Sequence, residues 1–318
     1  MKYKNIPVLI LGYNRPNHIN KLIHSLRKIK PSNIFISLDG PKNILIDIEK
    51  CANVRNEIKK IDWDCKIKRK YNLNNLGCRD SVSRGINWFF KYNKFGIILE
   101  DDCIPNKSFF TFCKKVDDKF KNNKNIFTIS GSNFFNKKIK NDYFFSKYNH
   151  CWGWATWRRA WKFYDNKLSF WKEWKNSESW KSFHDSKIER KYWSKIFDKT
   201  NMKKIDSWAY VWTCCVWKQH GLTVIPKKNL IKNIGFDSEA THTVESKFKY
   251  LKSYKMKLRK NLSGSSELVP FKLNDEYVFS NHFQGKYYLW PWFILKGIRL
   301  LFENPKIFFL KINKFLFT

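Results

Sequence analysis

Three short apolar runs, each closed by polar or acidic residues, constrain this chain more than any other feature. Residues 7–12 (PVLILG) lead into Tyr13-Asn14-Arg15, residues 33–38 (NIFISL) into Asp39-Gly40-Pro41, and residues 96–99 (GIIL) into Glu100-Asp101-Asp102. Apolar runs bounded by turn formers read as buried strands. Between the first two the spacing turns helical: Ile19, Leu22, Ile23 and Leu26 share one face of a helix over residues 17–29. A polar helix over 46–61, a weaker strand over 65–70 and a helix over 78–92 continue the alternation. Strands alternating with helices predict an α/β fold with a mostly parallel sheet, and ligands gather at the carboxyl ends of such strands.

The second half differs. Trp152, Trp154, Trp157, Trp161, Trp171, Trp174, Trp180 and Trp193 place eight of the fifteen tryptophans within 42 residues, and the 154/157/161 spacing suits one helix face. A helix is expected over 206–218 and a strand over 222–226, with no internal repeat. Residues 251–274 are polar and loosely patterned, which suits a linker or a surface arm. The expected organisation is one domain over 1–250, divided near 135, an arm over 251–285 and a separate tail over 286–318.

The chain carries 62 Lys+Arg against 27 Asp+Glu, a formal charge of +35, which calls for an acidic partner: nucleic acid, an anionic membrane or a phosphorylated substrate. With 43% hydrophobic residues and 18% aromatics it is no disordered polybasic chain. Arg supplies only 11 of the 62 cations, a lysine excess that compositional drift of an AT-rich genome would also produce. Sequence-specific nucleic-acid readers lean on arginine forks. The eight cysteines include no C-x-x-C pair and suit reduced thiols in a cytosolic protein. The charged start reads as no signal peptide, and no run of 18 apolar residues suggests a spanning helix. The tail holds six cations (Lys286, Lys296, Arg299, Lys306, Lys311, Lys314) and one anion, Glu303, among many aromatics. Such a basic amphipathic segment, which Pro305 should break, either lies on an anionic membrane or packs on the domain as two short helices.

Glu100-Asp101-Asp102 carries the strongest chemistry. Three carboxylates directly after a buried strand repel one another and lose hydration unless a cation neutralises them. A divalent ion with hard oxygen ligands, bridging a diphosphate, does so well.

Taken together, PVLILGYNRPNHINKL, ISLDGPK, NLGCRDSVSRGINW, GIILEDDCIPNKSFF, WGWATWRRAW and IPKKNLIKNIGFDSEATHT resemble a bacterial GT-A glycosyltransferase. The group is similar to glycosyltransferase family 2 and to the Golgi transferase that adds the first branching GlcNAc to N-glycans. The resemblance covers roughly residues 5 to 245 and implies a GT-A nucleotide-diphosphosugar fold, Rossmann-like, with residues 1–135 as the nucleotide-sugar half and 136–250 as the acceptor half. It implies that Tyr13, Asn14 and Arg15 receive the nucleotide base and phosphates and that Asp39 contacts uracil or ribose. Asn75, Gly77 and Arg79 then help to hold the nucleotide, at a helix start that favours phosphate. Glu100, Asp101 and Asp102 match the D-x-D-type motif, with Asp102 as direct ligand of Mn²⁺ or Mg²⁺ and Asp101 on the ribose or a metal-bound water. Ser132, in the loop 130–133, matches the sugar side. His242 resembles a late histidine that completes metal or diphosphate contacts, although a lone histidine is as readily structural.

The general base is less marked. An inverting transferase needs a carboxylate for the acceptor hydroxyl's proton. In W-D-Y-x-W-like motifs it follows the first tryptophan, where residues 208–212 (WAYVW) carry Ala209. Asp206 is the nearest acid and equally a helix cap, with Asp237 and Glu239 next. The tryptophans are core packing or, with Trp154 and Trp208, an acceptor platform where Arg158 and Arg159 hold an acceptor phosphate. The implied activity is metal-dependent, inverting transfer from a UDP-sugar to a cell-surface glycan such as lipooligosaccharide or capsule, at the inner face of the cytoplasmic membrane. No specific nucleic-acid partner is expected. The rivals are a catalytically degenerate member of the family and a nucleic-acid-binding basic protein.

Overall fold

The computed structural model describes residues 2–236, 251–285 and 292–305. An eight-stranded sheet of order β3-β2-β1-β4-β8-β6-β9-β7 organises them. The first four of these strands are β1 (Val8–Gly12), β2 (Asn33–Leu38), β3 (Lys66–Tyr71) and β4 (Phe95–Glu100), all parallel, so their carboxyl ends share one edge. Helices α1 (Pro16–Arg27), α2 (Leu45–Lys59) and α3 (Gly77–Tyr92) make the crossovers. Beyond β4 the sheet is mixed. β8 (Trp154–Trp157) runs antiparallel to β4 and to β6 (Ile126–Ser130), β9 (Leu222–Pro226) is parallel to β6, and β7 (Tyr143–Ser146) closes the far edge antiparallel to β9. A second sheet pairs β5 (Cys103–Pro105), directly after the acids, with β10 (Ile231–Asn233).

Strand periodicity explains why the apolar runs read as continuous. Val8 and Ile10 of β1, with Ile97 and Leu99 of β4, enter the cluster under α1, α2 and α4 (Lys107–Phe120). Leu9, Leu11 and Ile98 enter the opposite cluster. Both faces are covered by helices, so no polar alternation survives in these strands. The opposite cluster takes most of the tryptophans: Trp171, Trp174, Trp180, Trp193 and Trp217 are all buried there. They come from α6 (Trp171–Asn176), α7 (Glu178–Phe183), α8 (Lys187–Asn201) and α9 (Trp208–Lys218). Trp154 and Trp157 belong to the central strand β8, and only Trp161 lies in a helix, the short α5 (Arg158–Trp161). The single helix face expected for these three is therefore corrected; a strand buried on both sides of the sheet accommodates bulky aromatics equally well.

Residues 251–271 run as an extended arm against the domain. Tyr254 N donates to Asn229 O (2.8 Å), and the Asp142 carboxylate accepts Lys227 Nζ (2.8 Å) and Ser263 N (3.1 Å). Helix α10 (Lys272–Asn281) follows, its Asp275 accepting from Ser146 Oγ and Lys147 N beside β7. Helix α11 (Trp292–Glu303) ends two residues before Pro305. Among the described residues no helix is long and apolar enough to cross a membrane.

A buried ionic cluster ties α8 to the segment after β7. Glu189 accepts from Tyr148 OH and faces Lys147 Nζ (2.9 Å) and His184 Nδ1 (3.4 Å). Burial opposes the Glu189 carboxylate's charge, but His184, Lys147 and Tyr148 outweigh it and hold its pKa down to about 2. A carboxylate held below its unfolded value stabilises the fold fully above that value and loses the contribution as pH falls through the folded one. Glu189→Gln should therefore destabilise the fold at neutral pH, by roughly 3 kcal/mol at most, and lower Tm accordingly. It should also flatten the fall in stability between the ordinary carboxylate value of 4.5 and about 2, as read by thermal melts across acid pH.

Candidate functional site

The carboxyl ends of β1, β2 and β4 bring three loops together, and their side chains interlock. Arg15 sits at the start of α1 and donates from Nη2 to Asp101 Oδ1 and, at 3.2 Å, to Asp102 Oδ2, with Nε 3.2 Å from Asp101 Oδ2. Burial works against the guanidinium's charge, but Asp101 and Asp102 raise its pKa well above the ordinary arginine range. One cation meets three acids. Burial, with Asp102 and Asp101 beside it, pushes the Glu100 carboxyl above the usual carboxylate range. Burial pushes Asp101 the same way, against the pull of Arg15. Glu100 continues the face of Ile98 and meets the other side of the sheet, where the Trp208 side chain donates to it.

Asp102 lies where the two sheets join. Ile234 N donates to Asp102 O at 2.9 Å, so the chain leaving β10 passes directly over the acid. A Cβ on Gly235 would fall 2.2 Å from Asp102 Oδ2, so any side chain there would displace the Asp102 carboxylate. Phe236 follows and packs edge-on to Trp152 at 5.6 Å. Trp152 is half-buried, unlike Trp154. His242, Asp237 and Glu239 fall outside the described residues.

The β1 loop is held by a residue the sequence reading did not select. Asp47, in the first turn of α2, accepts from Tyr13 OH, from Asn14 Nδ2 (2.6 Å) and from Lys42 N (2.6 Å). Burial raises the Asp47 carboxyl, and these donors together bring it below its ordinary value. Burial and Asp47 push the Tyr13 phenol upward. Asp47 is the one buried residue between exposed Ile44, Leu45, Ile46 and Ile48, and an isolated acid in an apolar stretch was the available signal.

Asp39 and Asp206 both serve loop and helix ends. Asp39 accepts from Gly40 N, Asn72 Nδ2, Asn75 Nδ2, Leu76 N and Gly77 N at 2.9–3.2 Å. Its carboxylate is committed to shaping the loop that carries Asn75 and Gly77. Asp206 accepts from Cys78 N and Arg79 N, both at 3.0 Å, and so caps α3 across the fold, while Ser207 caps α9. Gly77 turns there at φ +80°, and a Cβ would lie 2.9 Å from Asp206 Oδ2. Asp206 is nonetheless exposed, and both it and Glu100 act on the Cys78 thiol, whose pKa burial raises first.

Other expected site residues are engaged elsewhere. The Arg79 side chain is buried and donates to Thr200 O (2.8 Å) and to Asn166. Arg158 donates to Asn93 O and Arg159 to Lys121 O and Ile126 O, at the β4 end opposite the acids, since Trp157 pairs with Phe95. Arg158 Nε and all three nitrogens of the Arg159 guanidinium are engaged with backbone carbonyls there, away from the acid cluster. Trp154 stacks on Trp208 at 5.4 Å inside the core, so neither offers a ring face. Ser132 is buried and spends its hydroxyl on Trp152 O (2.8 Å).

Among the described residues no three His, Cys, Asp or Glu side chains close on one point. Asp102 is partly exposed, and Asp101 and Asp102 share the one arginine that meets them. Mg²⁺ and Mn²⁺ are commonly held by one or two carboxylates together with substrate phosphates.

No protein-family model matches the chain, and no curated protein matches it. Among solved structures it is similar to a mannosyltransferase from Pyrobaculum calidifontis in complex with GDP-Man and Mn²⁺, at 11% identity and a TM-score of 0.33 over 48% of this chain and 44% of that one. HddC from Yersinia pseudotuberculosis matches at 13% identity and 0.27, over 44% and 57% of the two chains. A 4-diphosphocytidyl-2C-methyl-D-erythritol synthase from Anaerococcus prevotii matches at 9% and 0.31, over 68% and 99%. The match to the mannosyltransferase spans less than half of that chain's length. The α/β architecture stands on this chain's own strand order and helix layers.

Asp206→Ala should leave the Cys78 and Arg79 amides without their acceptor and cost about 1–2 kcal/mol. Asp206→Asn keeps one acceptor oxygen and should lose less, as read by urea titration of both variants.

Proposed function

We propose that this chain is a metal-dependent glycosyltransferase that moves a sugar from a nucleotide-diphosphosugar, a UDP-sugar first among them, to a cell-surface glycan. The observation that carries the reading is the acid cluster at the end of β4: Asp101 and the partly exposed Asp102 share the one cation Arg15, with Glu100 on the other side of the sheet. Asp102 would hold Mn²⁺ or Mg²⁺ together with the donor's diphosphate, and the ion would supply neutralisation of the departing phosphates. Arg15, already aligned by Asp101, stands where it can also meet a phosphate through its remaining donors. Tyr13 and Asn14, fixed by Asp47, form the nucleoside side with Asn75. The half-buried Trp152 replaces Trp154 as the ring suited to the C–H face of a sugar.

Asp206 is the proposed base for inverting transfer. Each of its oxygens accepts one backbone amide and keeps a further lone pair for the acceptor's proton. The rival that a specific observation favours is a chain that binds donor without transferring it, because Ala209 stands where an acid is expected and Asp206 already serves as a cap. The acceptor is proposed to be a lipooligosaccharide or capsule precursor at the inner face of the cytoplasmic membrane. The exposed stripe of Ile294, Ile298 and Phe302 along α11 supports the tail as one lipid contact.

Nucleotide release should be seen with one UDP- or GDP-sugar plus Mn²⁺ and vanish with EDTA. Asp102→Ala should abolish it, and Asp206→Asn should lower turnover by at least about 100-fold at near wild-type stability. Full turnover in both variants would overturn these roles; metal-dependent binding without release in the wild type would favour the non-transferring reading.

A further inference from the structure

The loops beside the candidate site expose an apolar surface that folding does not account for. Ile44, Leu45, Ile46 and Ile48 are 54%, 73%, 62% and 43% exposed, and Leu73 is 88% exposed. Ile44 ends the loop after β2, and Leu45, Ile46 and Ile48 form the start of α2; this segment and the loop after β3 that carries Leu73 are joined at their bases. Asn75 N donates to Pro41 O at 3.1 Å, Asn75 Nδ2 donates to Gly40 O at 3.2 Å, and Gly40 packs against the Asn74 backbone. The loops follow β2 and β3, so the apolar residues project from the same end of the sheet as Arg15 and Asp102. A cluster of large side chains held out in water costs hydration free energy unless something covers it.

The wall below this tip is basic. β3 is the edge strand, and it presents exposed Lys66, Lys68 and Arg69, with exposed Arg84 and Lys91 on α3 alongside. The cations crowd one another: burial, then Arg84 and Lys91, hold the Lys70 ammonium below its ordinary value. Lys68 lies over the exposed Tyr92 ring at 3.7 Å, an arrangement of aromatic and cation suited to an interface between apolar and polar media. Glu49 is the exposed acid next to the tip, and Asp47 is turned inward to hold Tyr13 and Asn14.

We propose that residues 44–48 and Leu73 enter the interface of an anionic lipid bilayer while the basic edge of β3 lies against its head groups. A self-associating surface would need complementary charge, whereas cations dominate this one and its exposed acids are few: Glu49 beside the tip, and Asp62 and Asp64 ahead of β3. A nucleic acid would use the cations but leaves the apolar tip uncovered. The contact is separate from that proposed for the tail. It would place the mouth of the site against the membrane, and because the same turn carries Asp47, it would set the β1 loop at the lipid surface.

The test uses the full chain and sucrose-loaded vesicles of phosphatidylcholine with or without phosphatidylglycerol, in the absence of any donor, so its outcome does not depend on the transferase reading. A variant carrying Ile44→Ser, Leu45→Ser, Ile46→Ser and Leu73→Ser should sediment with phosphatidylglycerol vesicles at least about fivefold less than wild type, with the same Tm. Lys66→Glu, Lys68→Glu and Arg69→Glu together should reduce binding to phosphatidylglycerol vesicles and leave binding to pure phosphatidylcholine unchanged. Unchanged vesicle binding in the serine variant overturns the proposal. So does a change in that variant confined to its oligomeric state on size exclusion, or a charge variant that loses retention on RNA but not on vesicles.

Discussion

Three carboxylates and one guanidinium share the carboxyl end of β4, and the chemistry of the surrounding loops follows from that imbalance. Arg15 can satisfy Asp101 fully and Asp102 in part, because α1 begins immediately beside them. Glu100 faces the other side of the sheet and must take its hydrogen bond from Trp208. Desolvation raises the cost of every uncompensated charge, so burial pushes both Glu100 and Asp101 toward their neutral forms. A cation arriving with a diphosphate would relieve the same stress from the solvent side, where Asp102 is partly exposed.

Around this centre the fold uses carboxylates as scaffolding. Asp39 gathers the β3–α3 loop, Asp47 fixes Tyr13 and Asn14, and Asp206 caps α3 from another element. Each is an acceptor-only group placed where backbone amides or side-chain donors converge, which is cheaper than leaving those donors unpaired. In a chain with 62 cations and only 27 acids, most acids in this region have an identified structural partner. The close approach of Gly235 to Asp102 then binds the second sheet to the first at the acid itself.

Much of this was legible in the sequence because its signals are local. The runs at 8–12, 33–38 and 96–99 are strands buried on both faces, and the polar residues that end them do lie at one edge. The strand at 222–226 and the helix through Trp208 to Lys218 follow the same logic. What was not legible depends on pairing between distant segments. Trp154 and Trp157 carry helical spacing and still form a central strand, because β8 is inserted between β4 and β6. Arg158 and Arg159 resemble an anion clamp in sequence, but the antiparallel register of β8 delivers them to the far end of the sheet. Asp47 has the reverse pattern: an acid among isoleucines reads as the exposed residue, and it is the buried one.

The central claim is that the acid cluster receives a divalent cation together with a nucleoside diphosphate. Isothermal titration of UDP and of GDP, with and without Mn²⁺, into wild type and Asp102→Ala tests it most directly. The account predicts that the wild type binds one of the two only when Mn²⁺ is present, and that Asp102→Ala, with an unchanged Tm, binds neither. Binding of equal strength without the metal and in the variant, or no binding of either nucleotide to the wild type, would contradict it.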